Sequence, residues 1–229
     1  MNPDTADNLR ERLTTLAHRI APETAATPLY VVFSAEANIC CNADGGCWGM
    51  TGPHLDMLFR EAIGVRWQGR GWGILVRDSL SEKSVAGTFI HELAHIVDGE
   101  FPPRTDKQYS PTAIMAVRSD TIDDFAGRRP VCPIANIDNH GLAFHRALMH
   151  LRYRAAAAGC EIPFADLCAS QTSAFHLSMF SRALGDEVRQ CRAMPFSRIM
   201  ARTIPKAFRK LWTVNRKIIE EQNQLERTL

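Results

Sequence analysis

The chain has little net charge, no hydrophobic run long enough to cross a membrane, and no regular set of cysteines. A formal net charge of +2 over 229 residues predicts no polyanion binding from overall charge alone. No apolar stretch approaches the roughly 20 residues that a bilayer requires. The first twenty residues contain acids and lack a charged-then-apolar leader, so we expect a cytoplasmic protein without membrane contact. Seven cysteines cannot all pair, which favours a reducing compartment.

What the chain does contain is enough apolar material, 45% of its residues, for a sizeable core. Leucines at helical spacing predict an amphipathic helix over about residues 5–20. The segments "PLYVVFSA" (28–35) and "GWGILVRDS" (71–79) are rich in β-branched and aromatic residues and predict strands. Strong helical patterns return over 139–159, over 164–192 and from 195 to the end. We therefore expect an α+β fold with a small sheet and additional C-terminal helices.

A central buried helix is predicted in "SLSEKSVAGTFIHELAHIVDG" (79–99). Ser79 and Glu82 have the spacing of a capping box, which predicts that the helix begins there. The segment then becomes apolar on nearly every side, and Gly99 marks its end.

The same helix contains the pattern His-Glu-x-x-His at His91, Glu92 and His95. In a helix this spacing places both imidazoles on one face, where they can share a metal ion. Catalytic zinc keeps three protein ligands and one open position. One large group of such enzymes has its third ligand six residues after the second histidine, but here that residue is Phe101. The third ligand must come from elsewhere.

His140 is the best candidate for the third ligand. His140, Phe144, Ala147 and Leu151 follow the spacing i, i+4, i+7 and i+11, so the imidazole lies in line with the apolar stripe that faces the core. His145 is about 140° away around the helix and is expected to face elsewhere.

The residues alone leave alternatives open. A carboxylate from the long connection between His95 and His140, namely Asp120, Asp123 or Asp124, fits zinc chemistry, as does His145. Asp98 shares the face of the two helix histidines and is placed to hydrogen-bond a ligating imidazole or a nearby backbone group.

The segment "HELAH", followed later by "HGLAF" in a helix continuing "HRALMHL", resembles the SprT-like (Spartan-like) zinc metallopeptidases. The resemblance covers about residues 71–155, and His140 matches the family's third ligand. It implies a zincin-like core, which we place within residues 1–160 together with the N-terminal helix, and we expect residues 161–229 to form a helical, basic C-terminal extension. The connection between His95 and His140 is longer than in compact family members. Proteins of this kind also occur in bacterial viruses and mobile elements.

This constellation predicts a metallopeptidase with one Zn²⁺ ion and a protein or peptide substrate. Zinc on three neutral imidazoles lowers the pKa of a bound water toward neutrality, and Glu92 is placed to accept that water's proton as general base. An amidase with a non-protein substrate would use the same site. The alternative from another class is a zinc-stabilised protein that binds DNA or another protein and cleaves nothing.

Two further features of the sequence allow both a functional and a plainer explanation. Cys40, Cys41 and Cys47 lie in one predicted loop, but without a paired Cys-x-x-Cys they predict buried or free thiols rather than a second metal. Between Arg189 and Lys217 the chain has nine basic residues, interleaved aromatics and no acid. Such a segment suits a nucleic-acid backbone or an acidic partner, although a solvated helix face is the plainer explanation.

Overall fold

The computed structural model of the protein describes residues 3–36, 49–50, 62–77, 80–99, 104–105, 140–167 and 171–228. The fold is mixed α/β and mostly helical. The α-helices are α1 (Pro3–Ile20), α2 (Glu82–Val97), α3 (Leu142–Ala157), α4 (Gln171–Ala183), α5 (Gly185–Gln190), α6 (Phe196–Ala201) and α7 (Lys206–Thr228). The strands are β1 (Leu29–Phe33), β2 (Gly49–Met50), β3 (Arg70–Val76) and β4 (Arg104–Thr105). Short 3-10 helices cover Pro22–Ala26, Gly64–Arg66 and Phe164–Leu167.

The sheet is small, and its two predicted strands are confirmed. β1 runs parallel to β3, with Val31 opposite Ile74, and the two-residue strands β2 and β4 each pair antiparallel with β3. Side chains alternate along β1, so that Val31 faces the main core and Val32 faces a smaller cluster on the other side of the sheet. The predicted N-terminal helix is α1, which buries Leu13 and other apolar residues against the main core.

The predicted central helix is α2, and its start differs from the prediction. Its first residue is Glu82 and its N-cap is Ser81, whose hydroxyl accepts a hydrogen bond from the Ser84 backbone N–H at 3.3 Å. Ser79 itself lies outside the described residues, and the prediction that the helix begins there is wrong because Ser81 is the N-cap. Gly99 follows the helix with φ 87°, a left-handed conformation that glycine adopts at little cost.

Helix α3 carries the predicted apolar stripe, with Phe144, Ala147 and Leu151 all buried. His140 precedes this helix rather than lying in it, because Gly141, in an extended conformation, is the N-cap. The chain leaves α3 through Gly159, which has φ 86°.

The C-terminal helices pack on the same core as the rest of the chain. One hydrophobic cluster extends from Ala6 on α1 to Phe208 on α7. The predicted helical block over 164–192 consists of a 3-10 helix followed by α4 and α5. The division of the chain at residue 160 stays a prediction. Among the described helices, none combines the length and apolarity needed to span a bilayer.

Candidate metal centre

Three histidines meet where helix α2 passes the start of α3. His91, His95 and His140 each offer a ring nitrogen, and the three nitrogens all lie within 4.8 Å of one another. The Nε2 atoms of His95 and His140 are 3.2 Å apart. His91 and His140 are buried, at 5% and 9% exposure, and His95 is half-buried. These three residues can hold a metal ion.

The fold explains why residues 45 positions apart meet. His91 and His95 lie one turn apart on α2, and α2 packs directly against α3. The buried stripe of α3 faces α2. His140 lies at the N-terminal end of that stripe, immediately before the N-cap. The ring centre of His140 lies 4.9 Å from that of His91 and 5.0 Å from that of His95.

A backbone carbonyl fixes the tautomer of His91. Its Nδ1 lies 3.1 Å from the carbonyl oxygen of Leu167. Because a carbonyl only accepts, Nδ1 carries the proton and donates it, which leaves Nε2 with a free lone pair. Metal-bound histidines commonly have such a partner behind them. Leu167 did not emerge from the sequence, since a backbone carbonyl can come from any residue type.

The electrostatics of the cluster keep His91 neutral. Burial, followed by the neighbouring His140 and His95, holds the pKa of His91 well below its usual range. A neutral imidazole is the form that coordinates metals. The cluster is thus ready for a cation without first losing a proton from His91.

Phe144 forms a wall shared by all three imidazoles. Its ring stacks on His140 with a centroid distance of 4.1 Å and lies 4.4 Å from His95 and 5.0 Å from His91. The helical spacing predicts Phe144 in the core stripe but does not predict this contact. An apolar ring here restricts the orientations of the imidazoles and excludes water from one side of the cluster.

Glu92 follows His91 on the same helix and is buried, at 3% exposure. At about 100° per residue, its side chain leaves the helix about 60° from that of His95. This direction is close to the two histidines without coinciding with either. Its assignment as general base stays a prediction.

The other predicted ligand candidates lie outside the cluster or outside the described residues. His145 is buried, and its Nδ1–H donates to the Gly141 carbonyl oxygen at 3.0 Å. Burial lowers the pKa of His145 to about 4. Asp98 is the C-cap of α2, and a hydrogen bond from an imidazole N–H to its carboxylate stays a prediction. Outside the described residues lie Asp120, Asp123, Asp124, Cys40, Cys41 and Cys47.

A close approach between α2 and the 3-10 helix Phe164–Leu167 positions the Leu167 carbonyl. A Cβ atom built on Gly87 would lie 2.1 Å from the Asp166 carbonyl oxygen, so only glycine fits. The Ser84 hydroxyl donates to Asp166 Oδ1 at 2.9 Å in the same contact. Gly87 lies one turn before His91, so this contact delivers the Leu167 carbonyl to the imidazole.

Comparison of the chain with protein-family models, with curated proteins and with solved structures gives no match.

Proposed function

We propose that the protein is a zinc-dependent metallopeptidase with His91, His95 and His140 as metal ligands and Glu92 as general base. The observation that supports it most is the convergence of three imidazole nitrogens within 4.8 Å, two of them from the helix that also carries Glu92. The proposal includes a zincin-like core of the SprT-like kind, in which α2 is the active-site helix. The expected substrate is a protein or peptide.

The histidine cluster fits zinc by its donors and by its spacing. Two nitrogens that share one tetrahedral ion at about 2.0–2.1 Å are about 3.3 Å apart. The Nε2 atoms of His95 and His140 are 3.2 Å apart, close to that separation. Three protein ligands leave a fourth position of the tetrahedron open, as in catalytic zinc sites. Imidazoles also accept copper, iron and nickel, so zinc is the proposal rather than the only compatible ion.

Each residue of the site then has a defined task. When bound, zinc supplies Lewis-acid chemistry that acidifies a water and polarises a carbonyl. The Leu167 carbonyl holds His91 in the correct tautomer, and the Phe144 ring keeps one side of the cluster dry. The Glu92 carboxylate accepts a proton from the attacking water and delivers it to the nitrogen of the leaving amine. The net reaction is hydrolysis of an amide bond.

Glu92→Gln tests the proposal, because the amide keeps the size of the side chain and removes its basicity. Zinc content, measured by elemental analysis, should stay at one ion per chain. Hydrolysis of a fluorescently labelled, unfolded casein should fall by about 10²–10⁴-fold, the usual contribution of a general base. A variant that retains zinc and full activity would rule out Glu92 as the base. A wild-type protein that binds zinc and cleaves neither casein nor a random peptide library would favour the second candidate below.

The second candidate is a zinc-stabilised protein that binds nucleic acid without cleavage. It rests on one face of α7. Lys206, Arg209, Lys210 and Lys217 are exposed and recur at i, i+3, i+4 and i+11, while Phe208 between them is buried. Among the described residues, none of these four cations forms an ion pair. A row of exposed cations about 16 Å long suits the repeated charges of a phosphate backbone better than a single anion.

Fluorescence anisotropy with a labelled DNA duplex tests this second candidate. The double variant Lys206→Ala/Lys210→Ala should weaken binding and reduce the dependence of log K on log salt by about one per lost phosphate contact. Arg12→Ala, an exposed cation on α1, is the matched control and should leave the slope unchanged. Equal slopes in all three proteins would exclude this face as the DNA-binding surface.

A further inference from the structure

A cavity of about 700 Å³ lies at the end of helix α3 opposite the histidine cluster. It is open to solvent and is lined by the last turns of α1 and α3 and by the turn between α5 and α6. Helix α3 has 16 residues, so the cavity lies roughly 20 Å from the start of that helix and from His140. Its volume is in the range of sites for small organic molecules, and it is separate from the candidate metal centre.

The lining of this cavity is positively charged. Arg19, Arg154 and Arg192 all contribute to it, whereas Glu23 is its one carboxylate. The Glu23 carboxylate accepts a hydrogen bond from the Phe196 backbone N–H, which holds it at the start of α6. Its charge also acts on Arg154. Within the described part of the chain, Arg19 and Arg192 form no ion pair, so two positive charges face the cavity uncompensated.

Arg154 makes the cavity rigid. Its side chain is 8% exposed and donates to the carbonyl oxygens of Ile20, Cys191 and Met194. Its guanidinium also lies over the Phe196 ring, 4.5 Å from the ring centre. One buried cation thereby ties the end of α1 to the turn after α5. The cavity walls are held in place before any ligand arrives, which lowers the entropy cost of binding.

The remaining walls are largely apolar, with Ile20, Ala157, Ala193 and Met194 among them, and Tyr153 adds an aromatic ring with a hydroxyl. A cavity with apolar walls and a few converging polar groups is typical of a small-molecule site. Guanidinium groups match phosphate oxygens in pairs, and a phosphomonoester carries about two negative charges at neutral pH.

We propose that this cavity binds a small organic phosphomonoester, with the phosphate between Arg19 and Arg192 and the organic part against the walls formed by α1, α3 and the turn after α5. The two exposed arginines supply the positive charge that selects a phosphate, and Arg154 holds the walls of the cavity together. This site does not depend on the proposed peptidase activity.

Isothermal titration calorimetry of the full chain with phenyl phosphate, at constant ionic strength, tests the proposal. Arg19→Ala and Arg192→Ala should each weaken binding by roughly 10- to 100-fold, the usual range for losing a hydrogen bond to a charged group. Both side chains are exposed, so the fold should tolerate the changes. Arg198→Ala, an exposed arginine outside the cavity, is the matched control and should bind like the wild type.

Three comparisons sharpen the result. Inorganic phosphate should bind more weakly than phenyl phosphate, because it leaves the apolar walls uncovered. Benzoate should also bind more weakly, because it carries one charge instead of two. Phenyl phosphate should bind His140→Ala as tightly as the wild type, which separates this cavity from the metal centre. Equal affinity in the wild type and the Arg19→Ala/Arg192→Ala variant, or no saturable binding up to about 10 mM, would overturn the proposal.

Discussion

Helix α3 contacts two clusters of polar side chains, and only the second is built around an ion pair. At its start, His91, His95 and His140 bring nitrogen atoms together around a common point, with no carboxylate among the three. Further along, the Arg146 Nε–H and the His150 Nε2–H both donate to Glu187 Oε1, at 2.7 and 2.9 Å. Both clusters contain a buried histidine whose pKa burial lowers.

The two clusters differ in the groups that surround their histidines. The charge of Arg146 is matched by Glu187, and Arg146 also donates to the Arg202 carbonyl at 3.0 Å, so this cluster joins α3 to α5 and to the end of α6. The histidine cluster instead brings together three ring nitrogens of the kind that bind a metal cation. Burial and a lowered pKa are therefore shared by a structural histidine and a candidate ligand. The partners of each ring distinguish the two.

His140→Ala should have the largest effect, reducing bound zinc from one ion per chain to none. Removing even a hydrogen-bond partner behind a ligand weakens metal binding by about 10–100-fold, and loss of the ligand itself should exceed that. Elemental analysis after dialysis measures the content. His150→Gln, in the cluster built around the ion pair, should keep one zinc. Loss of zinc from both variants would mean that the fold, and not the ligand, had been removed.

Glu187→Ala should have the opposite effect to His140→Ala: it should lower the free energy of unfolding and leave the zinc content unchanged. The substitution leaves the Arg146 guanidinium, which is 1% exposed, without a counter-charge, and this should lower the free energy of unfolding by about 3–5 kcal/mol. Urea denaturation gives the free energy of unfolding. The neighbouring Asp186→Ala removes an 88% exposed carboxylate and should change stability by less than about 0.5 kcal/mol. Equal effects of the two substitutions would contradict the assigned structural role.

The metal-free protein should lose stability as the pH falls from about 6.5 to 4, because buried histidines stay neutral in the folded state. Burial lowers the pKa of His145 to about 4, so between that value and its unfolded value near 6.5 the unfolded chain binds more protons. This one residue can account for up to roughly 3 kcal/mol. Urea denaturation in the presence of a chelator, at several pH values, measures the loss.

His145→Asn should flatten this pH dependence more than His150→Asn, because Glu187 hydrogen-bonds His150 and opposes the effect of its burial. Below about pH 4.5 a separate loss should begin. Although burial acts to raise the pKa of Glu187, the hydrogen bonds from His150 and Arg146 lower it overall, and that stabilisation disappears when the carboxylate is protonated. An unchanged pH profile in His145→Asn would contradict the buried neutral state.

Much of the candidate site follows from the sequence because two periodic patterns specify it. The i, i+4 spacing of His91 and His95 and the apolar stripe behind His140 both depend on helix geometry, which side-chain identity reveals. Helix ends were less predictable, since Ser79 and Ser81 are both good caps and only the structure distinguishes them. A backbone carbonyl such as that of Leu167 has no sequence signature, and its partner lies 76 residues away. Gly87 is visible in the sequence as a glycine inside a helix, but such a glycine can occur for several reasons and does not by itself indicate this contact.

Gly87→Ala is the smallest of the expected effects and tests that hidden contact. A methyl group at this position meets backbone atoms of Asp166, which cannot rotate away as a flexible side chain could. The Phe164–Leu167 turn should therefore shift away from α2 and weaken the hydrogen bond from His91 Nδ1–H to the Leu167 carbonyl. Zinc affinity, measured by competition with a chromophoric chelator, should fall by about 10–100-fold, as when other hydrogen-bond partners of a metal-binding histidine are removed.

Gly185→Ala is the matched control, because its Cβ would meet only the end of the Arg189 side chain at 3.5 Å. If Gly87→Ala binds zinc as tightly as Gly185→Ala, then His91 keeps its tautomer without Leu167, and the histidine cluster depends on α2 and α3 alone.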